Sequence, residues 1–171
     1  MLAYVGRLEP QKDIDTLLKS FEILNNHHDS KLLIIGDGSE KEKLLTCTNE
    51  IKAKIKHINF DENPYKYIKH CNILLLTSIY EGMPNILIEA QVMKMPIVAT
   101  NCPGGTSEAL LNGDTGLLAK TGDPKDIANK ILELINDEEI KNKFILNYQK
   151  SIERFDPKKT VKVLLEEVRR F

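Results

Sequence analysis

The chain has no apolar run of the roughly 18 residues that a membrane-spanning helix requires, so no transmembrane helix is expected. It is poor in cysteine. Cys47, Cys71 and Cys102 are scattered and odd in number, with neither CxxC spacing nor a disulfide framework, and reduced cytosolic thiols are the expected state. No His/Cys cluster has metal-ligand spacing, and His27-His28 reads as the solvated end of a predicted helix. Excess charge is lacking too. A net charge of −1 gives no general attraction to nucleic acid. Met1-Leu2-Ala3-Tyr4-Val5-Gly6 has no basic start and meets Arg7 at once, so no signal peptide is expected.

What remains is ordinary for a soluble domain with a real core: 171 residues, 42% hydrophobic and 29% charged. Leu2 to Val5 already reads as a buried strand ended by Gly6. A domain that opens in a core strand is expected to be cut from something larger.

Strand and helix patterns alternate along the chain. Asp13 can cap a helix carrying Ile14, Leu17, Leu18, Phe21 and Leu24 at helical spacing. Lys31 to Ile35 is apolar on both faces, as parallel strands require. Gly36-Asp37-Gly38 is a turn, and Ser39 with Glu42 forms a candidate capping box for a helix to about Lys52. Lys56 to Phe60 is a weaker third strand, Pro64 to Lys69 a short helix, Asn72 to Thr77 the fourth strand and Pro96 to Thr100 the fifth. After Cys102-Pro103-Gly104-Gly105, Thr106 is a candidate cap for a short helix from Ser107 to Leu111. A short strand, Gly116 to Ala119, follows, then helical patterns from Asp123-Pro124, over Glu138–Arg154 and over Lys158–Arg170. The alternation predicts a doubly wound α/β domain, a Rossmann-like parallel sheet with helices on both faces. Ligands of such sheets bind beyond the carboxyl ends of the strands. The loops after strands one, two, four and five are polar there, and each contains glycine.

The most informative stretch is Ser78-Ile79-Tyr80-Glu81-Gly82-Met83-Pro84-Asn85-Ile86-Leu87-Ile88-Glu89-Ala90. A buried strand, a polar turn and a helix start fit this order. Pro84 suits the first helical position. The amides of Asn85, Ile86 and Leu87 would then point out of the helix end without partners, where anions bind. From Ile86 to Met95 most positions are apolar, so the helix is expected to be covered on most sides. Glu89 falls inside that run, and its burial would be costly without donors. Glu81 precedes the helix, at the strand's carboxyl end. A hydrolase pair of carboxylates is disfavoured, because one is in a loop and the other over a turn into a helix. A structural hydrogen bond is an adequate account of either Glu taken alone. Arg7 and Lys12 could together neutralise a diphosphate, though on spacing alone two solvated surface charges are the simpler account. Gly36-x-Gly38 begins a dinucleotide fingerprint but does not complete it, since Lys41 stands at the third glycine position and the turn follows the second strand.

Taken together, Gly6-Arg7-Leu8 with Lys12, Gly36-x-Gly38, Ser78-x-x-Glu81-Gly82-x-Pro84-Asn85-x-x-x-Glu89-Ala90, Gly104-Gly105-x-x-Glu108 and Gly113-x-x-Gly116 resemble the C-terminal half of retaining glycosyltransferases of the GT-B fold. More narrowly, they are similar to glycosyltransferase family 4, the "glycosyl transferases group 1", whose members build capsules, lipopolysaccharides and glycolipids. The resemblance spans about residues 4 to 170. It implies that residues 1–171 are one nucleotide-sugar-binding domain of a two-domain enzyme whose N-terminal acceptor domain is absent here. It implies that Arg7 and Lys12 hold the donor diphosphate, that Gly82, Pro84 and the amides of Asn85, Ile86 and Leu87 hold its distal phosphate, and that Glu89 accepts from the ribose hydroxyls. Glu81 would contact the transferred sugar without being a nucleophile, and the nucleobase would lie near Phe60-Asp61-Glu62. Two positions depart from the family pattern, Asp13 and Asp61 each standing where glycine is common. The substrate implied is a nucleotide diphosphate sugar, most readily a UDP-sugar. No metal or other cofactor is implied, and the enzyme would be cytoplasmic, working at the inner face of a membrane with which it can associate peripherally. The last helix would cross toward the absent domain, leaving Val161, Val163, Leu164, Leu165 and Val168 partly exposed. A non-catalytic nucleotide-binding module and a sugar-nucleotide epimerase of the same fold are the alternatives. A phosphorylase would need pyridoxal phosphate and a Schiff-base lysine, for which there is no signal.

Overall fold

In the computed structural model, residues 1–168 are described, except for the side chains at positions 157, 160, 162–164 and 167 of the last helix. Six parallel strands run Leu2–Val5 (β1), Leu32–Ile35 (β2), Ile55–Ile58 (β3), Ile73–Leu76 (β4), Ile97–Thr100 (β5) and Leu117–Ala119 (β6). Their order across the sheet is β3-β2-β1-β4-β5-β6. The doubly wound sheet expected from the sequence is thus present, with the short sixth strand closing one edge. The helices are Ile14–Asn25 (α1), Asn49–Ala53 (α2), Tyr65–Ile68 (α3), Asn85–Val92 (α4), Thr106–Ala109 (α5), Pro124–Asn136 (α6), Glu138–Ile152 (α7) and Pro157–Val168 (α8).

Side chains alternate along each strand, and two cores result. Leu2 and Tyr4 of β1, Ile34 of β2 and Leu75 of β4 face α1, α6 and α7, where Phe21, Ile131 and Phe144 fill the layer. Ala3, Leu33, Leu74 and Ala99 face the other side, against Ile68, Leu87, Ala90 and Ala109 of α3, α4 and α5. Asp13 caps α1 as expected, its Oδ1 accepting from the Thr16 amide at 3.1 Å. It does so with φ 50° and ψ 63°, a left-handed conformation that glycine adopts freely and that Asp tolerates better than most residues. Asp123 caps α6 through the amides of Lys125 and Asp126.

Several local expectations are corrected. The helix read from Ser39 to Lys52 is a 3-10 turn over Lys41–Leu45 followed by the short α2. Ser39 does not cap it, because its Oγ donates instead to Glu9 Oε2 at 2.8 Å, which ties the turn to the first loop. Thr106 does not cap α5 either. It lies inside the helix, fully buried, with Oγ1 3.3 Å from Cys102 Sγ, and Gly105 is the N-cap. In the last helix Val161, Leu165 and Val168 are 53%, 51% and 62% exposed, as anticipated. Val163, Leu164 and the residues after 168 lie outside the described residues.

The glycines of the loops have a structural cause. A Cβ on Gly36 would lie 1.9 Å from the Gly6 carbonyl oxygen, and one on Gly104 would lie 1.6 Å from the Glu81 carbonyl oxygen. Gly104 also has φ +110°, unfavourable for any L side chain. Gly82, by contrast, has nothing within 4 Å of its would-be Cβ. Gly104→Ala is therefore expected to lower unfolding free energy by about 2 kcal/mol or more, and Gly82→Ala by less than about 1 kcal/mol. Urea denaturation of the two variants checks the contrast. Equal losses would contradict it.

Candidate functional site

The strand order reverses between β1 and β4, where α1 and α4 leave on opposite faces of the sheet. Such a switch point opens a crevice at the carboxyl ends of the strands. The loops after β1 and β4 meet there. The Ile79 amide donates to the Gln11 carbonyl at 2.8 Å. Thr77 Oγ1 donates to the Lys12 carbonyl at 2.8 Å, and Gln11 Nε2 to the Tyr80 carbonyl at 2.7 Å. The neighbouring loops join the same framework. Leu8 N donates to Asp37 O after β2, Glu81 N to Pro103 O after β5, and Gly105 N to Gly82 O at 2.6 Å.

This stitching brings Lys12 to Glu81. Lys12 Nζ donates to Glu81 Oε1 at 2.5 Å, with only 14% and 8% of the two side chains exposed. Ser78 Oγ donates to the same carboxylate oxygen at 2.6 Å. Ser78 is itself fully buried and pinned through its carbonyl, which accepts from Thr100 Oγ1 at 2.6 Å. Tyr4 lies beneath the group, its hydroxyl donating to the Arg7 carbonyl at 3.0 Å. Burial, and then the negative charge of Glu81, push the Tyr4 phenol far above its usual range, so it stays a neutral donor.

The amino end of α4 opens beside this pair. Pro84 is the N-cap and not the first helical residue: its ψ of 94° is extended, and α4 begins at Asn85. The amides of Asn85 and Ile86 have no acceptor among the described residues. The Leu87 amide is not free, since it donates to the Pro84 carbonyl at 3.0 Å in a tight first turn. The anion-binding donors at this end are therefore two of the three expected. No acidic residue lies in the first turn to compete with an anion for them.

Helix α4 is not covered on most sides. Only Leu87, Ala90 and Gln91 are buried, and Val92 is 60% exposed. Apolar composition alone overstated its burial, because α4 lies over the sheet beside α5 and α7 while its outer side stays open. Glu89 is accordingly half-buried and not buried. It carries less desolvation cost than the sequence suggested, and it sits where a solute can reach it. Burial, then the hydrogen bond and charge of Glu89, raise the Tyr65 phenol above its ordinary value.

A cavity of about 500 Å³ lies at the carboxyl ends of β1, β2 and β3. Arg7, Gly36, Phe60, Asp61 and Tyr65 are among its lining residues. Phe60 offers an exposed ring face, being 75% exposed. Asp61 is committed to structure. Its Oδ2 pairs with Lys66 at 2.8 Å and accepts from Tyr67, while Oδ1 accepts from the Asn63 amide. The Lys66 hydrogen bond first, and the Asn63 amide second, hold its carboxyl below the usual carboxylate range. Met83, Asn85 and Glu89 line a second hollow of about 370 Å³ with Arg154 and Phe155. A larger cavity, about 690 Å³, lies at the opposite end of the sheet among Met1, Asn72 and Pro96, and contains none of these loop residues. Among the described residues no group of three or more His, Cys, Asp or Glu is placed to hold a metal ion.

The residues expected at the site thus divide. Lys12 and Glu81 are in direct contact. Gly82, Pro84, Asn85 and Ile86 form the helix entrance, with Glu89 one turn further on. Arg7, Phe60 and Asp61 line the neighbouring cavity. Sequence reasoning gave no role to Ser78, Tyr4, Gln11 or Tyr65. The i, i+3 spacing of Ser78 and Glu81 was a usable signal, whereas Tyr4 looks like any core residue of a buried strand.

Residues 1–151 match the family described as glycosyl transferases group 1. The capsular polysaccharide biosynthesis glycosyltransferase CapM of Staphylococcus aureus is 33% identical over 160 residues, which cover 90% of this chain and 41% of CapM. A structure of S. aureus TarM in complex with UDP, among other ligands, is 25% identical, with a TM-score of 0.86 over 96% of this chain and 34% of TarM. Anabaena HepE, solved in complex with UDP, shares the fold with a TM-score of 0.86 at 21% identity, covering 99% of this chain and 48% of HepE. The chain spans less than half the length of these relatives. The fold and the ordered loop motifs agree with the match over residues 1–151, and the chain belongs to the glycosyl transferases group 1 family.

Proposed function

We propose that this chain is the donor-binding domain of a retaining glycosyltransferase that moves a sugar from a nucleotide diphosphate sugar to a polysaccharide, glycolipid or related acceptor. The observation that carries this reading is the meeting of Lys12, Glu81 and the open amino end of α4 at the switch point of the sheet. A diphosphate between them would accept from the Asn85 and Ile86 amides and face the Lys12 ammonium, and Arg7 stands at the rim of the adjoining cavity. The nucleobase fits that cavity against the Phe60 ring, and the ribose then reaches Glu89. Asp61 serves the base pocket as a wall, since its oxygens are already taken. Glu81 meets the sugar. Mechanistically the domain supplies binding, orientation and electrostatics, while the acceptor and its deprotonation belong to a second domain across the cleft. No step assigned to these residues calls for a metal ion or other cofactor.

The uridine nucleotide is the preferred donor because TarM and HepE were both solved with UDP. The acceptor class follows CapM, which acts in capsular polysaccharide biosynthesis. The missing half of the length is read as the N-terminal acceptor domain. No helix among the described residues is long and apolar enough to cross a membrane. Work at the cytoplasmic face, with peripheral association of the whole enzyme, is part of the same proposal.

UDP at millimolar concentration is expected to raise the melting temperature of the domain, and Glu89→Ala to remove most of that rise while leaving the unliganded melting temperature close to that of the parent. Differential scanning fluorimetry reads both. No shift with any nucleoside diphosphate would overturn the reading. With a UDP-sugar and a panel of acceptors, the 171-residue chain alone is expected to show no transfer above background; robust turnover in a product-detecting assay would contradict the need for a second domain.

A further inference from the structure

The Lys12–Glu81 pair raises a question that the donor-binding reading does not answer. The ammonium needed by a diphosphate is already engaged, at 2.5 Å and largely shielded from water. A shielded charge pair at contact distance is strongly coupled, and solvent screens it weakly. Any anion that draws on Lys12 must share it with Glu81 or remove it. The carboxylate cannot follow the lysine. Ser78 Oγ holds the same Oε1 at 2.6 Å, the Ser78 carbonyl is fixed by Thr100, and the Glu81 backbone is fixed by Pro103 and bridged to Gly104. Lys12 is the mobile partner, with four methylenes between its fixed backbone and its charge.

We propose that Glu81 is the resident counter-ion of Lys12, that a nucleoside diphosphate binds by drawing this lysine away, and that donor-sugar hydroxyls then replace it on the carboxylate. The inference rests on the donor-binding reading above and adds a coupling between the two halves of the ligand. Phosphate recognition vacates the hydrogen-bonding capacity that sugar recognition fills. A nucleoside diphosphate without its sugar takes Lys12 and leaves Glu81 short of a donor, and its negative charge sits near an unneutralised carboxylate. Glu81 therefore acts more strongly against the product than against the donor, whose hydroxyls restore hydrogen bonds to the carboxylate. The arrangement weakens retention of the spent nucleotide more than capture of the loaded one.

UDP titrated against the chain by isothermal calorimetry tests this, because UDP alone isolates the competition from any sugar contact. Glu81→Gln removes the charge, keeps the shape and is expected to tighten UDP several-fold, up to roughly tenfold. Lys12→Met is expected to loosen UDP, and adding Glu81→Gln to it to tighten UDP clearly less than Glu81→Gln does alone, because only charge repulsion is then relieved and no ion pair is broken. Unchanged or weaker UDP binding by Glu81→Gln, or the same tightening with and without Lys12, would overturn the inference while leaving the donor site standing. Absence of UDP binding by the unmodified chain would overturn the donor-binding reading itself, and this inference with it. Should Glu81→Gln not fold, the unmodified chain gives the answer. The Lys12 Nζ resonance, assigned by its loss in Lys12→Arg, is expected to shift on UDP addition in a lysine-ammonium NMR spectrum, and a resonance that stays put at saturation would overturn the inference.

Discussion

The close approach of Lys12 to Glu81 depends on the reversal of strand order between β1 and β4 and in turn ties together the loops at the sheet's carboxyl end. Two opposite charges, both mostly shielded from water, are tolerable only because they meet. That requirement fixes the loop after β1 against the loop after β4. The uncharged hydrogen bonds from the Ile79 amide, Thr77 Oγ1 and Gln11 Nε2 to main-chain carbonyls then hold the same geometry. Tyr4 and Ser78 complete it from below and from the side. The pair is therefore a clamp between the two loops.

The second carboxylate of the site is governed by a different balance. Glu89 stands on the open side of a helix whose inner side alone is buried, and Tyr65 is its neighbour from α3. It does not need a charged partner, and it is presented to solution at the join between two hollows. Glu81 is fixed and shielded, whereas Glu89 is accessible. The two residues are eight positions apart in the motif and differ in environment because one lies in a strand-end loop and the other a turn into α4.

Much of this was legible in the chain. The parallel sheet followed from alternating apolar strands and amphipathic helices, and the glycine-bearing loops at the strand ends do meet at the switch point. Asp13 announced its helix as a cap, and Asp123-Pro124 marked the start of another. The misread features share a cause, in that contacts distant in sequence outcompeted local chemistry. Ser39 was drawn away from its helix by Glu9, and Thr106 was buried next to Cys102. Pro84 remained outside the helix because the chain enters α4 from the stretch bridged to Gly104. The apolar run after Pro84 indicated a buried helix, but hydrophobic composition does not say how many sides a neighbouring element will cover. The pairing of Lys12 with Glu81 could not be read at all, since 69 residues separate them and only the strand order makes them neighbours.

The glycines of the loops bear on how such a site can change. Gly36 and Gly104 are required where one loop's main chain lies directly on another's, and not by the space a ligand would occupy. At these two positions the frame of the crevice is consequently set by backbone against backbone. Phe60, Tyr80, Met83 and Asn85 project from that frame and are exposed. They can be exchanged without loosening it. A lineage built on this frame is free to alter those projecting groups, while Gly36 and Gly104, where any side chain would strike the facing main chain, are positions it must keep.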